Sequence, residues 1–250
     1  VVSFRGAGVT PELIEISDDI EFIYDHPLAF PVMVPRKSCS NPALLAEGDA
    51  VLRFGFVEGD VIVTAKAAVF DPQGSNPVGG FRGNGSTAEK FALVLNDGEA
   101  RAITGQVTSE DAAASLLHDA DAVVVKRGAL GALVVERGRA PVTVPAYRSQ
   151  RVFKIGSGDI FSAIFARVWF EGGSDAAEAA DVASRAVSVY VESRTLPIRD
   201  RDLLRDRTPL PFKLPGQIYI AAPFFTTAEL WLVEQLVAGV EALGAKAFSP

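Results

Sequence analysis

Residues 154–163 read KIGSGDIFSA: Gly156, Ser157 and Gly158 stand directly before Asp159, and an apolar run follows. Glycines at the mouth of a helix let the backbone approach an anion closely. The helix start itself offers unpaired N–H groups and a partial positive charge. A carboxylate in the first turn, beside such an anion hole, can take the proton from an attacking hydroxyl, which is the role phosphoryl transfer requires of the protein. On this reading Gly156, Ser157 and Gly158 hold the transferring phosphoryl and Asp159 is the general base. A plain helix start uses the same residue types, because the helix dipole favours an acidic first turn. The motif alone leaves both readings open.

Few other residues compete for a chemical role. His26, in YDHPLAFP, suits a loop histidine hydrogen-bonded before a proline. His118 falls near a helix end, where an imidazolium suits the dipole. Cys39 is the single cysteine, so no internal disulfide forms and a reducing, cytoplasmic compartment is expected. No Cys/His cluster has metal-ligand spacing. Trp169 and Trp231 fall on apolar helix faces and are expected in the core. The net charge of −7 over 250 residues argues against nucleic-acid binding. It leaves a phosphorylated small molecule open, since a local pocket can oppose the global sign. No apolar run is long enough to span a membrane, and the first residues do not read as a signal peptide. The only methionine is Met33, which suggests a processed or truncated start.

The elements that must position these residues follow from periodicity. ELIEI and IEFIYD read as strands, HPLAFPVMVP as a proline-punctuated loop, and KSCSNPALLAEG (37–48) as loop. AVLRFGFV (50–57), DVIVTA (60–65) and KAAVFDPQG (66–74) read as three strands, and 74–86 as a glycine-rich loop. TAEKFA reads as a short helix, LVLN as a strand, and DGEARAITG as a helix closed by Gly105. A capping pattern at Thr108 and Asp111 opens the next helix. AVVVKRG and GALVVERG are strands, and purely apolar strands between helices predict a mostly parallel sheet buried on both faces. From Asp159 the apolar residues at 160, 161, 164, 165, 168 and 169 mark one face of a helix ended by Gly172-Gly173. Ser174 is placed to cap the helix after it. RDRDLLRDR (199–207) reads as a solvated helix or strap, and RTPLPFKLPG (207–216), with its prolines, as a linker. The pattern then restarts with a strand, a helix capped by Thr226 and Glu229, and AKAF opening a further strand.

In this order the segments resemble the ribokinase-like (PfkB) sugar and nucleoside kinases. GSGDIFSAIFA is similar to the family's G-A-G-D signature. LVLNDGEARAITG resembles its N-x-x-E strand, so the resemblance implies that Asn96 and Glu99 order magnesium and its waters near the phosphates. AVVVKRGALGALVVERG is similar to the strand-turn-strand that borders the nucleotide, implicating Lys126, Gly128 and Gly131. AVFDPQG resembles the family's D-P-x segment and implies that Asp71 or Gln73 lies near the phosphate acceptor. The likeness covers roughly residues 50–195. It departs from the family at Phe153-Lys154, where Asp-Thr is usual, and the usual paired glycines of the N-terminal region are not visible.

The tail, IYIAAPFFTTAELWLVEQLVAGVEALGAKAFSP, resembles the opening of nucleoside 2-deoxyribosyltransferases. That likeness implies that Phe224 or Phe225 touches a base or deoxyribose; Ala222 stands where the family commonly has Gly. A generic βα unit packed on the preceding core is the other reading of this tail.

The expectation is therefore an α/β protein. Residues 1–206 form a ribokinase-like domain whose N-terminal part is incomplete, 207–216 a linker, and 217–250 the first βα unit of a second Rossmann-like domain. The implied activity is an ATP- and magnesium-dependent phosphotransferase acting on a hydroxymethyl group of a sugar or nucleoside. Expected partners are that small molecule, with no nucleic acid and no membrane, and a homodimer is among the assemblies the sequence allows. Two alternatives stay open: deoxyribosyl transfer or nucleoside hydrolysis by a longer C-terminal domain, and a nucleotide- or nucleoside-binding module without catalysis.

Overall fold

The computed structural model describes residues 6, 8–15, 19–23, 32–34, 43–73, 80–203, 205–211, 213 and 216–249. His26, Cys39 and Gly74 lie outside them. The chain divides into two compact units, Val1–Lys90 and Phe91–Pro250.

In the first unit β1 (Glu21–Ile23) pairs antiparallel with β2 (Val32–Val34). Strand β3 (Leu44–Phe54) pairs parallel with β4 (Val61–Asp71), and the register skips Asp49 and Lys66. Parallel neighbours ordinarily need a crossover of about a dozen residues, yet only 55–60 join these two. Asp60, at the end of that connection, accepts from Arg53 near the end of β3 at 2.6 Å, while its backbone carbonyl accepts from the amide of Leu44 at the start of β3 at 2.9 Å. Arg53 is buried, 7% exposed, with its guanidinium 4.6 Å from the Phe70 ring centroid. Asn84 donates to Asp60 and to the Val61 carbonyl, both at 2.9 Å, and Ser86 accepts from the Val63 amide at 3.0 Å. Arg53 and Ser86 are buried beside Val63, Val69, Phe70 and Phe81, and their partner groups on Asp60 and Asn84 satisfy most of their polar atoms.

Strand β5 (Thr87–Asn96) carries the chain into the second unit. There it pairs parallel with β6 (Ala122–Lys126), and β7 (Ala132–Glu136) and β8 (Val142–Val144) follow antiparallel. The apolar runs of β6 and β7 are fully buried, so both faces of the sheet are covered. Helices α1 (Asp97–Thr104) and α2 (Ser109–Leu116) follow β5. Helices α3 (Ser157–Glu171) and α4 (Ala176–Ser193) pack on each other, with α4 also on β7 and β8, and α5 (Asp200–Leu203) comes after them. Strand β9 (Gln217–Tyr219), helix α6 (Thr227–Ala242) and parallel strand β10 (Lys246–Phe248) close the chain. No described helix is long and apolar enough to cross a membrane.

The α/β class holds, with corrections at the element level. TAEKFA is not a helix: it is the first half of β5, although Ala88, Phe91 and Ala92 fall at the i, i+3, i+4 spacing of a helix face, because the segment continues into the buried strand run Phe91–Leu95. Residues 60–65 and 66–74 are not two strands; β4 runs unbroken through Lys66, which reaches out to Asp49 at 2.7 Å. Leu44–Gly48, read as loop, opens β3. Residues 12–15 carry no strand, and Val32–Val34, read as loop, form one. Asp175, not Ser174, caps α4, because its longer carboxylate completes a reciprocal box with Glu178. Trp231 is 40% exposed rather than core, and of α6 only Val233 is buried. Within 207–216, residues 208–210 lie against 146–148: the Arg148 amide donates to Thr208 at 2.9 Å and the Leu210 amide to Ala146 at 2.7 Å.

Candidate active site

The C-terminal ends of β5 and β6 lie side by side, with Asn96 opposite Lys126 in the register. In parallel sheets ligands gather outside these strand ends. Lys126 extends from that edge toward the start of α3, where its Nζ donates to the Ser162 hydroxyl at 3.4 Å. A Cβ placed on Gly158 would sit 3.6 Å from the same Nζ, so the ammonium lies against the first turn of α3. Two segments separated in sequence, the end of β6 and the start of α3, thus meet at one cation and one helix terminus, with Asn96 beside Lys126 in the sheet.

That terminus is built differently from its neighbours. Helices α1, α2, α4 and α6 each begin with a side chain bonded to a first-turn amide: Asn96, Thr108, Asp175 and Thr226. Helix α3 begins at Gly156, in the left-handed region at φ 79°, with no side-chain cap. Its positive end is therefore presented without a competing side-chain acceptor. Within the predicted anion hole the Ser157 amide is committed to the Lys154 carbonyl at 3.1 Å. Asp159 sits in the first turn of α3 and is exposed, so an incoming hydroxyl can reach it.

Gly128 and Gly131 form the turn after β6. Gly128 has φ 59° with open space on its side-chain side. At Gly131, φ 81°, a Cβ would lie 1.9 Å from the Val144 carbonyl oxygen. A cavity of about 140 Å³ runs from these glycines to Lys126, Gly158, Tyr147 and Ser188. It brings Lys126, Gly128 and Gly131 to one space with Ser157 and Gly158 of the predicted anion hole, within the second unit; Gly156 and Asp159 do not line it.

Asn96 and Glu99 form a reciprocal capping box at the start of α1. Asn96 Oδ1 accepts from the Glu99 amide at 2.9 Å, and Glu99 Oε2 accepts from the Asn96 amide at 2.8 Å. Gly98 is part of this arrangement, since a Cβ there would come within 3.3 Å of Asn96 Oδ1. The N-x-x-E spacing therefore does structural work, and it holds one carboxylate at the strand-end edge. Among the described residues no group of three or more His, Cys, Asp or Glu side chains forms a metal cage. Magnesium in phosphoryl-transfer sites is commonly held by one or two carboxylates, waters and substrate phosphates. The single carboxylate of Glu99 fits that mode, and Lys126 with the uncapped α3 terminus fits a polyphosphate.

The remaining predicted residues are not among those that line the cavity. Asp71, in the first unit, ends β4 opposite Phe54 and is 1% exposed; its carboxylate accepts from the Gln73 amide at 3.4 Å. Gln73 is exposed and left-handed at φ 53°. Phe224 and Phe225 stack at 5.2 Å before α6, exposed by 39% and 85%. Sequence reasoning missed Ser162, which is fully buried yet accepts from Lys126. A serine on the apolar face of a helix was the available signal, because a buried hydroxyl needs a partner.

The sequence matches the pfkB family carbohydrate kinases over residues 61–196. No curated protein matches the chain. Among solved structures, ribokinase from Thermotoga maritima is 22% identical, with 64% of this chain and 55% of that one covered and a TM-score of 0.44. Aminoimidazole riboside kinase from Salmonella enterica is 21% identical, with coverages of 54% and 50% and a TM-score of 0.44. A nucleoside kinase from Burkholderia thailandensis, solved with inosine, is 25% identical, with coverages of 52% and 43% and a TM-score of 0.40. The chain spans about half the length of these proteins. The family match takes in Lys126, the glycine turn, the Asn96–Glu99 box and the start of α3, and on it the chain belongs to the pfkB family of carbohydrate kinases.

Proposed function

We propose that the protein is an ATP- and magnesium-dependent phosphotransferase that acts on a hydroxymethyl group of a sugar or nucleoside. The observation that carries this reading is the meeting of Lys126 with the uncapped, glycine-started terminus of α3, whose first turn bears exposed Asp159. Lys126 and the first-turn amides offset the charge of the transferring phosphoryl, in a place where fixed donors need no reorganisation as the reaction proceeds. Asp159 takes the proton of the acceptor hydroxyl. Asn96 keeps Glu99 at the edge of the sheet through the capping box. Magnesium, when held there by Glu99 and the phosphates, supplies charge neutralisation. The cavity between Gly128, Gly131, Tyr147 and Ser188 receives the rest of the nucleotide.

The test is ADP release from ATP and magnesium with a panel of pentoses, hexoses and nucleosides. Acceptor-dependent release, with the phosphate found on a primary hydroxyl of the acceptor, is expected. Nucleotide binding with no release for any acceptor would leave the binding-module reading in its place. A second reading for the tail rests on Phe224 and Phe225, a stacked and exposed aromatic pair at a strand-to-helix turn, which suits a flat base. The same panel, run without ATP and scored for free base, tests that deoxyribosyltransferase-like role.

A further inference from the structure

The turn that starts α3 is held by the last turns of α4. The Tyr190 hydroxyl donates to the Ile155 carbonyl at 3.0 Å. A Cβ on Gly156 would lie 2.9 Å from that same oxygen, so Tyr190 occupies the side-chain space that the glycine leaves. The Phe153 amide donates to the Val191 carbonyl at 3.1 Å, the Phe153 and Tyr190 rings approach to 6.2 Å, and the Arg194 guanidinium lies 4.0 Å over the Phe153 ring. Arg194 holds this place in a left-handed conformation, φ 56°, as the C-cap of α4.

We infer that Tyr190 is a positioning residue for phosphoryl transfer: by fixing the Ile155 carbonyl it fixes the direction of the Gly156 N–H. A trans peptide is planar, and its C=O and N–H point opposite ways. A hydrogen bond that pins the carbonyl therefore aims the amide. Rotation of the 155–156 peptide would turn an oxygen, carrying negative partial charge, toward the space that the phosphoryl enters. Glycine at 156 is the residue for which such rotation is easiest, so the position most suited to close approach is also the one that most needs a restraint. This inference rests on the phosphotransferase reading given above.

Tyr190→Phe keeps the ring and its contact with Phe153 and removes only the hydroxyl. Two measurements on the whole protein test it. In steady-state ADP release, kcat falls about tenfold while the KM for ATP stays within about twofold, because the aimed amide serves the transferring group and not the rest of the nucleotide. In nitrogen-15 relaxation dispersion without nucleotide, the Gly156 amide gains microsecond-to-millisecond exchange that the wild type lacks. An unchanged kcat, a change in KM alone, or a Gly156 amide as quiet as in the wild type overturns the inference. If the wild type itself releases no ADP, the phosphotransferase reading fails, and the dispersion measurement still decides whether Tyr190 holds the turn.

Discussion

Gly131 shows how one residue can meet two demands. Its left-handed backbone closes the turn between β6 and β7, and its missing side chain lets the Val144 carbonyl approach. A Cβ 1.9 Å from backbone oxygen cannot be relieved by a rotamer change, so the strands themselves must move. Gly131→Ala is expected to lose about 3 kcal/mol of stability, the sum of overpacking and left-handed strain. Gly128→Ala, with open space around it, is expected to lose only the strain part. Thermal or urea melts of the two variants check this; equal losses would show that the close approach to Val144 does not matter. The glycines were legible in the sequence as a turn that borders a ligand, but the packing demand at Gly131 was not, since β8 had not been recognised. Asn96 and Glu99 carry the same lesson. The family resemblance reads their N-x-x-E spacing as a magnesium site, and the structure bonds them as a capping box, which uses the same residue types at the same spacing.

At the scale of elements, the helix starts were the most legible feature. A cap is a local bond between residues a few positions apart, so Thr108 and Thr226 could be found without knowing the fold. Strand limits were less so, because a strand is defined by a partner far along the chain. TAEKFA has good helix formers, and pairing within a long β5 overrides that preference. The cluster that ties α4 to residues 146–148 was illegible for the same reason. Tyr147 donates to Asp181 and accepts from Arg185 at 2.8 Å, and it bridges to Pro209. Burial first, and then the hydrogen bond and charge of Asp181, push the Tyr147 hydroxyl from 10.0 up to about 12. The raised value means that the folded state favours the neutral phenol. The stability this confers is full below about pH 10 and is lost as pH rises toward 12. Subtracting the melting curves of Tyr147→Phe from those of the wild type isolates the effect: the difference should shrink over this window. A difference that stays constant across it would contradict the assignment.

At the scale of the whole molecule, a net charge of −7 opposes the approach of a polyphosphate at long range. Binding must then come from a local arrangement of donors, which is what Lys126 and the α3 terminus provide. The α/β class and the order of the chemical motifs were readable from the chain, because both depend on local patterns repeated in sequence. What joins them was not, because the meeting of Lys126, Ser162 and Gly158 is a matter of tertiary register. Everything proposed about activity turns on Asp159 standing beside that anion site as a base. The most direct measurement compares Asp159→Asn with the wild type in ATP-analogue binding by calorimetry and in acceptor-dependent ADP release. The amide is nearly the same size but cannot take the proton, so binding should stay within about twofold while turnover falls about 10³-fold. Turnover equal to the wild type would contradict the account.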